Sequence, residues 1–231
     1  MKKLFDKHET VISIAIIVLY VIINSYCMQN FGLQDYRSTL INTVFSIVIL
    51  ALVISTKRTS YYGLTKVTNL KKYLFFIPLL LISSINVWNG ININHGTGEI
   101  LFYILSMANI GFLEEIIFRG FLFKMMEKDN LKIAILVSSL TFGLGHVVNL
   151  LNGADLVPTL VQICYAIALG YLFVIIFHKS KSIVPCILSH MLIDITSVFN
   201  IENTLSIYII PAFLVVASLT YAIYILKTVK E

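Results

Sequence analysis

The stretch that decides the fold is Gly111-Phe112-Leu113-Glu114-Glu115-Ile116-Ile117-Phe118-Arg119-Gly120, which places two acids and an arginine in an otherwise apolar run. The fourteen Leu, Ile and Phe residues between positions 100 and 123 favour insertion into a bilayer by about 0.5 kcal/mol each, or about 7 kcal/mol together. Three charges near the centre of a bilayer oppose insertion by about 9 kcal/mol together. This segment is therefore not expected to sit alone in lipid, and the rest of the chain must supply partners for its charges.

The composition is that of an integral membrane protein. Hydrophobic residues make up 58% of the 231 residues and charged residues make up 13%, which excludes an ordinary soluble domain. A formal net charge of +5 suggests acidic partners, but in a membrane protein Lys and Arg mark the cytoplasmic side. We expect membrane lipid as a partner and no nucleic acid.

Apolar windows of spanning length recur along the whole chain. They fall near residues 10–27, 38–56, 73–88, 100–123, 133–151, 157–177, 183–199 and 204–226. None shows the alternation of a barrel strand, and only helices or closed barrels satisfy their backbone groups in lipid. The sequence therefore predicts an all-α polytopic membrane protein, a bundle of about eight transmembrane helices with an intramembrane polar cavity. We expect a single integral-membrane domain over residues 1–231, with a motif-bearing core at about 100–199.

The basic residues alternate from one connection to the next. Fifteen of the seventeen Lys and Arg residues lie at the two termini and in the connections near 57–72, 124–132 and 179–181. The connections near 28–37, 89–99, 152–156 and 200–203 carry only Arg37. By the positive-inside rule we expect a multi-pass protein of the cell (cytoplasmic) membrane, with both termini and the basic connections cytoplasmic.

Few ionisable residues lie in the other windows, and intramembrane ionisable residues are functional candidates. They are His146 in the fifth window and His190 and Asp194 in the seventh. Glu115 and Arg119 are four residues apart, as are His190 and Asp194, so each pair lies on one helix face. We expect Glu115 to pair with Arg119, and Asp194 to hold one nitrogen of His190 and fix its tautomer.

Glu114 lies about 100° around the helix from Glu115 and is therefore the acid most in need of a partner from elsewhere. At 1.5 Å per residue, Glu114 and His190 lie roughly 10–15 Å from the cytoplasmic ends of their spans, and His146 lies about 20 Å in. We expect one polar cluster in the cytoplasmic half of the membrane.

The fifth window contains Phe142-Gly143-Leu144-Gly145-His146. Phe142 shares a helix face with His146, and the two glycines thin the helix so that a neighbouring backbone or a substrate can approach.

Three interpretations of the cluster stay open from spacing alone. Glu114, His146 and His190 can bind Zn²⁺ and leave a fourth position open, as catalytic zinc sites do. Glu114 and His146 can instead share a water and act as a general base without metal. The third interpretation is a purely structural hydrogen-bond network that links three helices.

The same residues form three motifs in order on successive apolar windows. The motifs are Glu-Glu-x3-Arg, Phe-x3-His and His-x3-Asp/Asn, formed by Glu114, Glu115, Arg119, Phe142, His146, His190 and Asp194. In this order they resemble the CPBP family of CAAX-type intramembrane metalloproteases and bacteriocin-processing or immunity proteins, which includes the eukaryotic CAAX prenyl endopeptidase. The resemblance covers residues 105–195 or so, under half of the chain.

The resemblance implies eight helices around a cavity open to the membrane and the cytosol, and hydrolysis of a peptide bond near the membrane. It implies that Glu114 and His146 activate the water, while His190 and residue 194 stabilise the oxyanion. The family is commonly described as metalloproteases, although a metal-free glutamate mechanism is also argued for it. The best-described members have Asn where this chain has Asp194, and an ionised Asp would repel an oxyanion. Asp194 is therefore protonated by its apolar surroundings, an orienter of His190, or a metal ligand.

The leading hypothesis is an intramembrane endopeptidase that cleaves a peptide or membrane-protein substrate by glutamate- and histidine-activated water. Its predicted catalytic residues are Glu114, His146, His190 and Asp194. Its predicted supporting residues are Glu115, Arg119 and Phe142. The alternative is a non-catalytic bacteriocin-immunity or partner-binding membrane protein of the same fold. A proton-coupled transporter is disfavoured because the sequence shows no internal repeat.

Overall fold

A computed structural model describes residues 5, 7–65 and 76–229, and every regular element within these ranges is helical. The principal helices are α1 (Glu9–Asn30), α2 (Tyr36–Ser55), α3 (Pro78–Ser83), α4 (Thr97–Glu115), α5 (Leu131–Gly145), α6 (Leu156–Ser180), α7 (Val184–Thr196) and α8 (Ile210–Thr228). The predicted all-α class is confirmed.

Shorter helical segments extend or connect these helices. A π-helix, Ile116–Phe123, and a last turn, Lys124–Glu127, continue α4 without a break, and a second π-helix, Leu205–Ile209, leads into α8. Single turns follow α3, α5 and α7, at Ile85–Val87, Val148–Leu151 and Ser197–Phe199.

Six of these helical stretches are long and apolar enough to cross a membrane. They contain α1, α2, α4 with its extension, α5 with the turn after it, α6, and α8 with its π-helical start. The seventh predicted window corresponds to a shorter apolar stretch, Val184–Phe199. The third window, 73–88, begins outside the described residues, so the count of eight spans stays a prediction, as does the single domain.

Local capping groups set several helix ends. Asp35 begins α2 by accepting a hydrogen bond from the backbone N–H of Arg37 at 2.8 Å, and Asn130 begins α5 by accepting from Ile133 N at 3.1 Å. Both satisfy amide groups that a first helical turn leaves free. The side-chain hydrogen bond from Arg37 also lowers the pKa of Asp35 to about 2.

Charged contacts hold together one end of the bundle, which we call the basic pole. Glu9, at the start of α1, forms ion pairs with Arg58 and Lys128. Glu127 lies 3.1 Å from His178 Nδ1, which joins the extension of α4 to the end of α6. The basic pole therefore collects connections that the sequence predicts to be cytoplasmic. Six of the basic residues that the sequence predicts to be cytoplasmic lie outside the described ranges. They are Lys2, Lys3, Lys66, Lys71, Lys72 and Lys230.

Uncharged side chains hold together the opposite end, which we call the amide pole. Ser25 and Gln29 on α1 donate to Asn152 Oδ1 at 2.8 and 2.9 Å. Asn149 donates to Gln162 at 2.9 Å and so ties the turn after α5 to α6. The described chain thus has a basic and an amide pole, as the alternation predicts, while the side of the membrane that each faces stays a prediction.

Glycines bring the motif-bearing helices close together. A Cβ added at Gly111 of α4 would lie 3.1 Å from the backbone nitrogen of Met191 on α7. A Cβ added at Gly143 of α5 would lie 2.3 Å from Ile167 Cγ1 on α6. The expected role of Gly143 in close approach is confirmed. Gly145 has no such neighbour within 4 Å and instead borders a cavity.

Candidate active site

Glu114 and Glu115 lie in the last turn of α4, directly before the π-helix Ile116–Phe123. A π-helix replaces the usual i→i+4 hydrogen bonds with i→i+5 bonds, and such segments are frequent at functional sites. Ser138 on α5 donates a hydrogen bond to the carbonyl oxygen of Phe118 at 2.9 Å. The acidic pair therefore lies where α4 changes its hydrogen-bond pattern and its backbone contacts α5.

Glu115 is fully buried and connects two of the motifs. Its Oε1 atom accepts a hydrogen bond from His190 Nδ1 at 2.8 Å and lies 3.0 Å from Arg119 Nη1. The expected pairing of Glu115 with Arg119 is present. Because a carboxylate can only accept, Nδ1 of His190 carries the hydrogen in this contact.

Arg119 is also fully buried, and it lies against aromatic rings. Its guanidinium carbon is 4.0 Å from the centroid of Phe142 and 5.6 Å from that of Phe173. None of its side-chain nitrogens forms a well-aligned hydrogen bond with a described residue. Its contact with Glu115 is therefore an ion pair without a well-aligned hydrogen bond. Gly170 leaves the necessary space, since an added Cβ would lie 3.3 Å from Arg119 Nη2. Cation–π attraction and the Glu115 charge together offset the burial of the guanidinium.

Glu114 faces a cavity and is held by a residue of the first helix. The Tyr20 hydroxyl donates to Glu114 Oε1 at 2.5 Å, and Asn24 Nδ2 donates to that hydroxyl at 3.2 Å. The motif-based prediction missed both residues, because α1 carries no motif. The signal that indicates them is their four-residue spacing, which places two polar side chains on one face of an apolar helix.

His190 on α7 lies among three carboxylates. Its Nδ1 atom is bound by Glu115, while Nε2 lies 3.6 Å from Glu114 Oε2 and 3.4 Å from Asp194 Oδ2. The expected approach of Asp194 to the ring is present. However, the shorter contact of the ring comes from Glu115. The tautomer of His190 is therefore fixed by Glu115 and not, as the sequence led us to expect, by Asp194.

His146 lies at the end of α5, where the helix gives way to a turn. The Phe142 ring makes edge-to-face contacts with both histidines, at centroid distances of 5.6 Å to His146 and 5.5 Å to His190. His146 is close enough to Glu114, His190 and Arg119 to interact with them electrostatically. The predicted supporting residue Phe142 therefore contacts both imidazoles and packs against Arg119.

The four predicted catalytic residues line one cavity of about 500 Å³. They are Glu114, His146, His190 and Asp194. This volume lies within the range of sites that bind small molecules. Glu115 and Arg119 do not line the cavity and support it from behind, whereas Phe142 is part of its wall. The structure therefore brings together all seven residues that the motifs single out.

The donor geometry does not match a metal site. Among the described residues, no group of three or more His, Cys, Asp or Glu side chains is arranged to hold a metal ion. The predicted zinc ligands Glu114, His146 and His190 share a cavity, but they do not converge as a ligand set.

A comparison with protein families bears on the motif-bearing part of the chain. Residues 96–196 match the family model described as Type II CAAX prenyl endopeptidase Rce1-like. This segment, under half of the chain, is therefore similar to the Rce1-like family. The match supports the resemblance to CAAX-type proteases and suggests a protease. Comparisons with curated proteins and with solved structures gave no match.

The Rce1-like segment contains α4 to α7 and every motif residue of the cavity. It does not include α1, so Tyr20 and Asn24 lie outside it. One wall of the candidate site is therefore built by a part of the chain that the family match does not cover.

Proposed function

We propose that this protein is an intramembrane endopeptidase that hydrolyses a peptide bond of a peptide or membrane-protein substrate. The observation that carries the proposal is the convergence of Glu114, His146 and His190 on one cavity, within the segment that is similar to the Rce1-like family. A structural network alone does not require such a cavity, because polar residues that only link helices are best packed together.

Glu114 is the general base in this proposal. Tyr20 occupies its Oε1 atom, which leaves Oε2 to accept a proton from a water in the cavity. The water oxygen then attacks the carbonyl carbon of the substrate as its proton passes to Glu114. His146 lines the same cavity and is the second group that can hold this water.

His190 is the oxyanion donor in this proposal. Its Nδ1 atom is engaged by Glu115, so Nε2 is the atom that can donate to the developing oxyanion when the ring is protonated. An ionised Asp194 cannot donate, and its position 3.4 Å from Nε2 suits it to orient the ring and balance its charge. When the C–N bond breaks, the proton held by Glu114 passes to the leaving amine nitrogen.

Conservative substitution of the base tests the proposal. Purified Glu114→Gln protein is expected to lose cleavage by about a hundredfold or more, because the amide hydrogen-bonds but cannot accept the proton. His146→Ala is expected to lower kcat as well. The measurement is cleavage of a library of apolar fluorophore–quencher peptides in detergent, with the wild type used to select the peptide.

Matched controls separate chemistry from folding. Glu202→Gln and His95→Ala change the same residue types at exposed positions outside the cavity, and both are expected to cleave as the wild type does. Full cleavage by a well-folded Glu114→Gln protein would contradict the proposed mechanism and favour a non-catalytic role.

A further inference from the structure

The cavity that contains Glu114 and His190 extends to the amide pole. Polar side chains line this outer part of it, which we call the vestibule. They are Asn24, Ser25, Asn149, Asn152, Gln162 and Asn200. All six are half-buried, so the vestibule meets the surface of the bundle there. They come from α1, from the start of α6, and from the connections that follow α5 and α7.

Packed aromatic rings fill the path from the site to the basic pole. Phe121 and Phe123 in the π-helix have almost no exposed surface. Phe121 packs on Tyr62 at a centroid distance of 4.9 Å, and Phe123 packs on Phe177 at 5.9 Å. A small separate pocket at the basic pole shares no residue with the cavity. Among the described residues, which omit 66–75, the cavity is therefore closed toward the basic pole.

The direction of α5 agrees with this arrangement. The helix starts at Leu131 near the basic pole and ends beside His146, so His146 lies about 22 Å from that pole at 1.5 Å per residue. Asn149 and Asn152 follow within two turns. A substrate that enters at the amide pole thus meets the vestibule first and the histidine next.

We propose that the peptide substrate enters from the amide pole and that the vestibule binds its main chain. By the positive-inside rule this pole faces away from the cytoplasm, so the substrate is a peptide segment exposed at the outer face of the membrane. The inference rests on the proposed peptidase function. It differs from the expectation, implied by the family resemblance, of a cavity that is open to the cytosol.

The chemistry of the vestibule suits an internal peptide segment. Asn and Gln side chains both donate and accept, as peptide groups do, and they recognise main chain without regard to sequence. Asn24 Oδ1 is buried without a hydrogen-bond partner among the described residues, which leaves it free to accept a substrate N–H. No described Lys or Arg lines the cavity, so no permanently charged basic side chain is available there to bind a terminal carboxylate. The site therefore suits an uncharged stretch within a chain over a C-terminus.

Cysteine labelling tests the direction of entry without requiring activity. In a Cys164→Ser background, which removes the exposed native cysteine, Ala154→Cys at the vestibule is compared with Lys132→Cys at the basic pole. A membrane-impermeant maleimide is expected to label Ala154→Cys in right-side-out vesicles and Lys132→Cys in inverted vesicles. The reverse pattern would overturn the proposed direction.

The sidedness of cleavage tests the same point with the active protein. The probe is the peptide selected in detergent, extended by a charged tag that prevents its passage across the membrane. Right-side-out vesicles are expected to cleave it without detergent, and inverted vesicles only after detergent is added. Cleavage by intact inverted vesicles alone would overturn the entry side and leave the peptidase function standing. Absence of cleavage in detergent would instead refute the peptidase function, while the labelling pattern still decides the direction of the cavity.

Main-chain binding predicts a change in KM that a structural role does not produce. Gln162→Leu is expected to raise KM by about fivefold to tenfold, the loss of one hydrogen bond, and to leave kcat unchanged. Asn200→Leu, on another wall of the vestibule, is expected to act in the same way. Gln34→Leu is the matched control, at the amide pole but outside the cavity. An unchanged KM in both vestibule variants would overturn the proposed binding role.

Discussion

Glu114 and Glu115 are neighbours in the chain but have different surroundings, because adjacent helical residues point about 100° apart. Glu115 is fully buried between His190 and Arg119. Glu114 faces the cavity and has Tyr20 as its hydrogen-bond donor. The first acid therefore has an oxygen available for proton transfer, while the second positions the imidazole and balances a buried guanidinium.

Tyr20 is predicted to position Glu114 for catalysis. Tyr20→Phe keeps the ring, which packs at 6.5 Å on Phe45, and removes the hydroxyl that donates to Glu114. Because a hydrogen bond to a charged group contributes about 1.5–3 kcal/mol, kcat is expected to fall by about tenfold or more. KM is expected to stay the same, since the ring of Tyr20 remains in the cavity wall. The measurement is the kcat and KM of the purified variant.

The matched control for this substitution is Tyr26→Phe, on the same helix but exposed. It is expected to have the wild-type kcat. Equal kcat values for Tyr20→Phe and the wild type would show that the carboxylate of Glu114 is positioned without the hydroxyl.

At the scale of the elements, close helix approach assembles the site. Gly143 allows α5 to contact the backbone of α6 at Ile167, and Gly111 allows α4 to contact α7 at Met191. These two contacts bring the acidic pair on α4 and the two histidines on α5 and α7 to one cavity. A change in helix spacing is therefore expected to act on the site as well as on stability.

Gly143→Ala tests this relation between spacing and site. The added methyl would lie 2.3 Å from Ile167 Cγ1 and 2.7 Å from Ile167 N, so α5 and α6 must separate. Overpacking of this kind costs about 1–3 kcal/mol, which corresponds to a fall in Tm of roughly 5 °C. The measurement is thermal unfolding in detergent, followed by the kcat of the folded protein, which is expected to fall because His146 is displaced.

Gly145→Ala is the matched control for stability, two residues along the same helix with no neighbour within 4 Å of the added Cβ. Its Tm is expected to match the wild type. An unchanged Tm in Gly143→Ala would mean that α5 and α6 tolerate a wider separation than their contact suggests.

Local spacing made much of this arrangement predictable. The apolar windows indicated the helices, and the four-residue spacing indicated the pairing of Glu115 with Arg119. Spacing could not indicate the bond between His190 and Glu115 or the one between Tyr20 and Glu114. Both join residues 75 or more positions apart, and they depend on how helices rotate against each other. The direction of the cavity was unpredictable for the same reason, since it depends on packing between all the helices.

At the scale of the whole molecule, the two poles differ in chemistry and in packing. In the described part of the chain, ion pairs and packed aromatic rings fill the basic pole, whereas the amide pole surrounds the vestibule. Ion pairs of partly buried side chains contribute to stability when their geometry is fixed, and uncharged amides bind peptide groups. This contrast implies that the basic pole stabilises the bundle and that the amide pole serves the substrate.

Glu9→Gln tests this division at the basic pole. Glu9 is largely buried and contacts Arg58 and Lys128, so it ties the start of α1 to two other connections. Removal of its charge leaves two cations facing a neutral amide, and the Tm is expected to fall by several degrees, measured against the exposed control Glu202→Gln. The kcat of the folded variant is expected to match the wild type, because the packed rings of the π-helix separate Glu9 from the cavity. A large fall in kcat with an unchanged Tm would contradict the division and would mean that the basic pole takes part in the reaction.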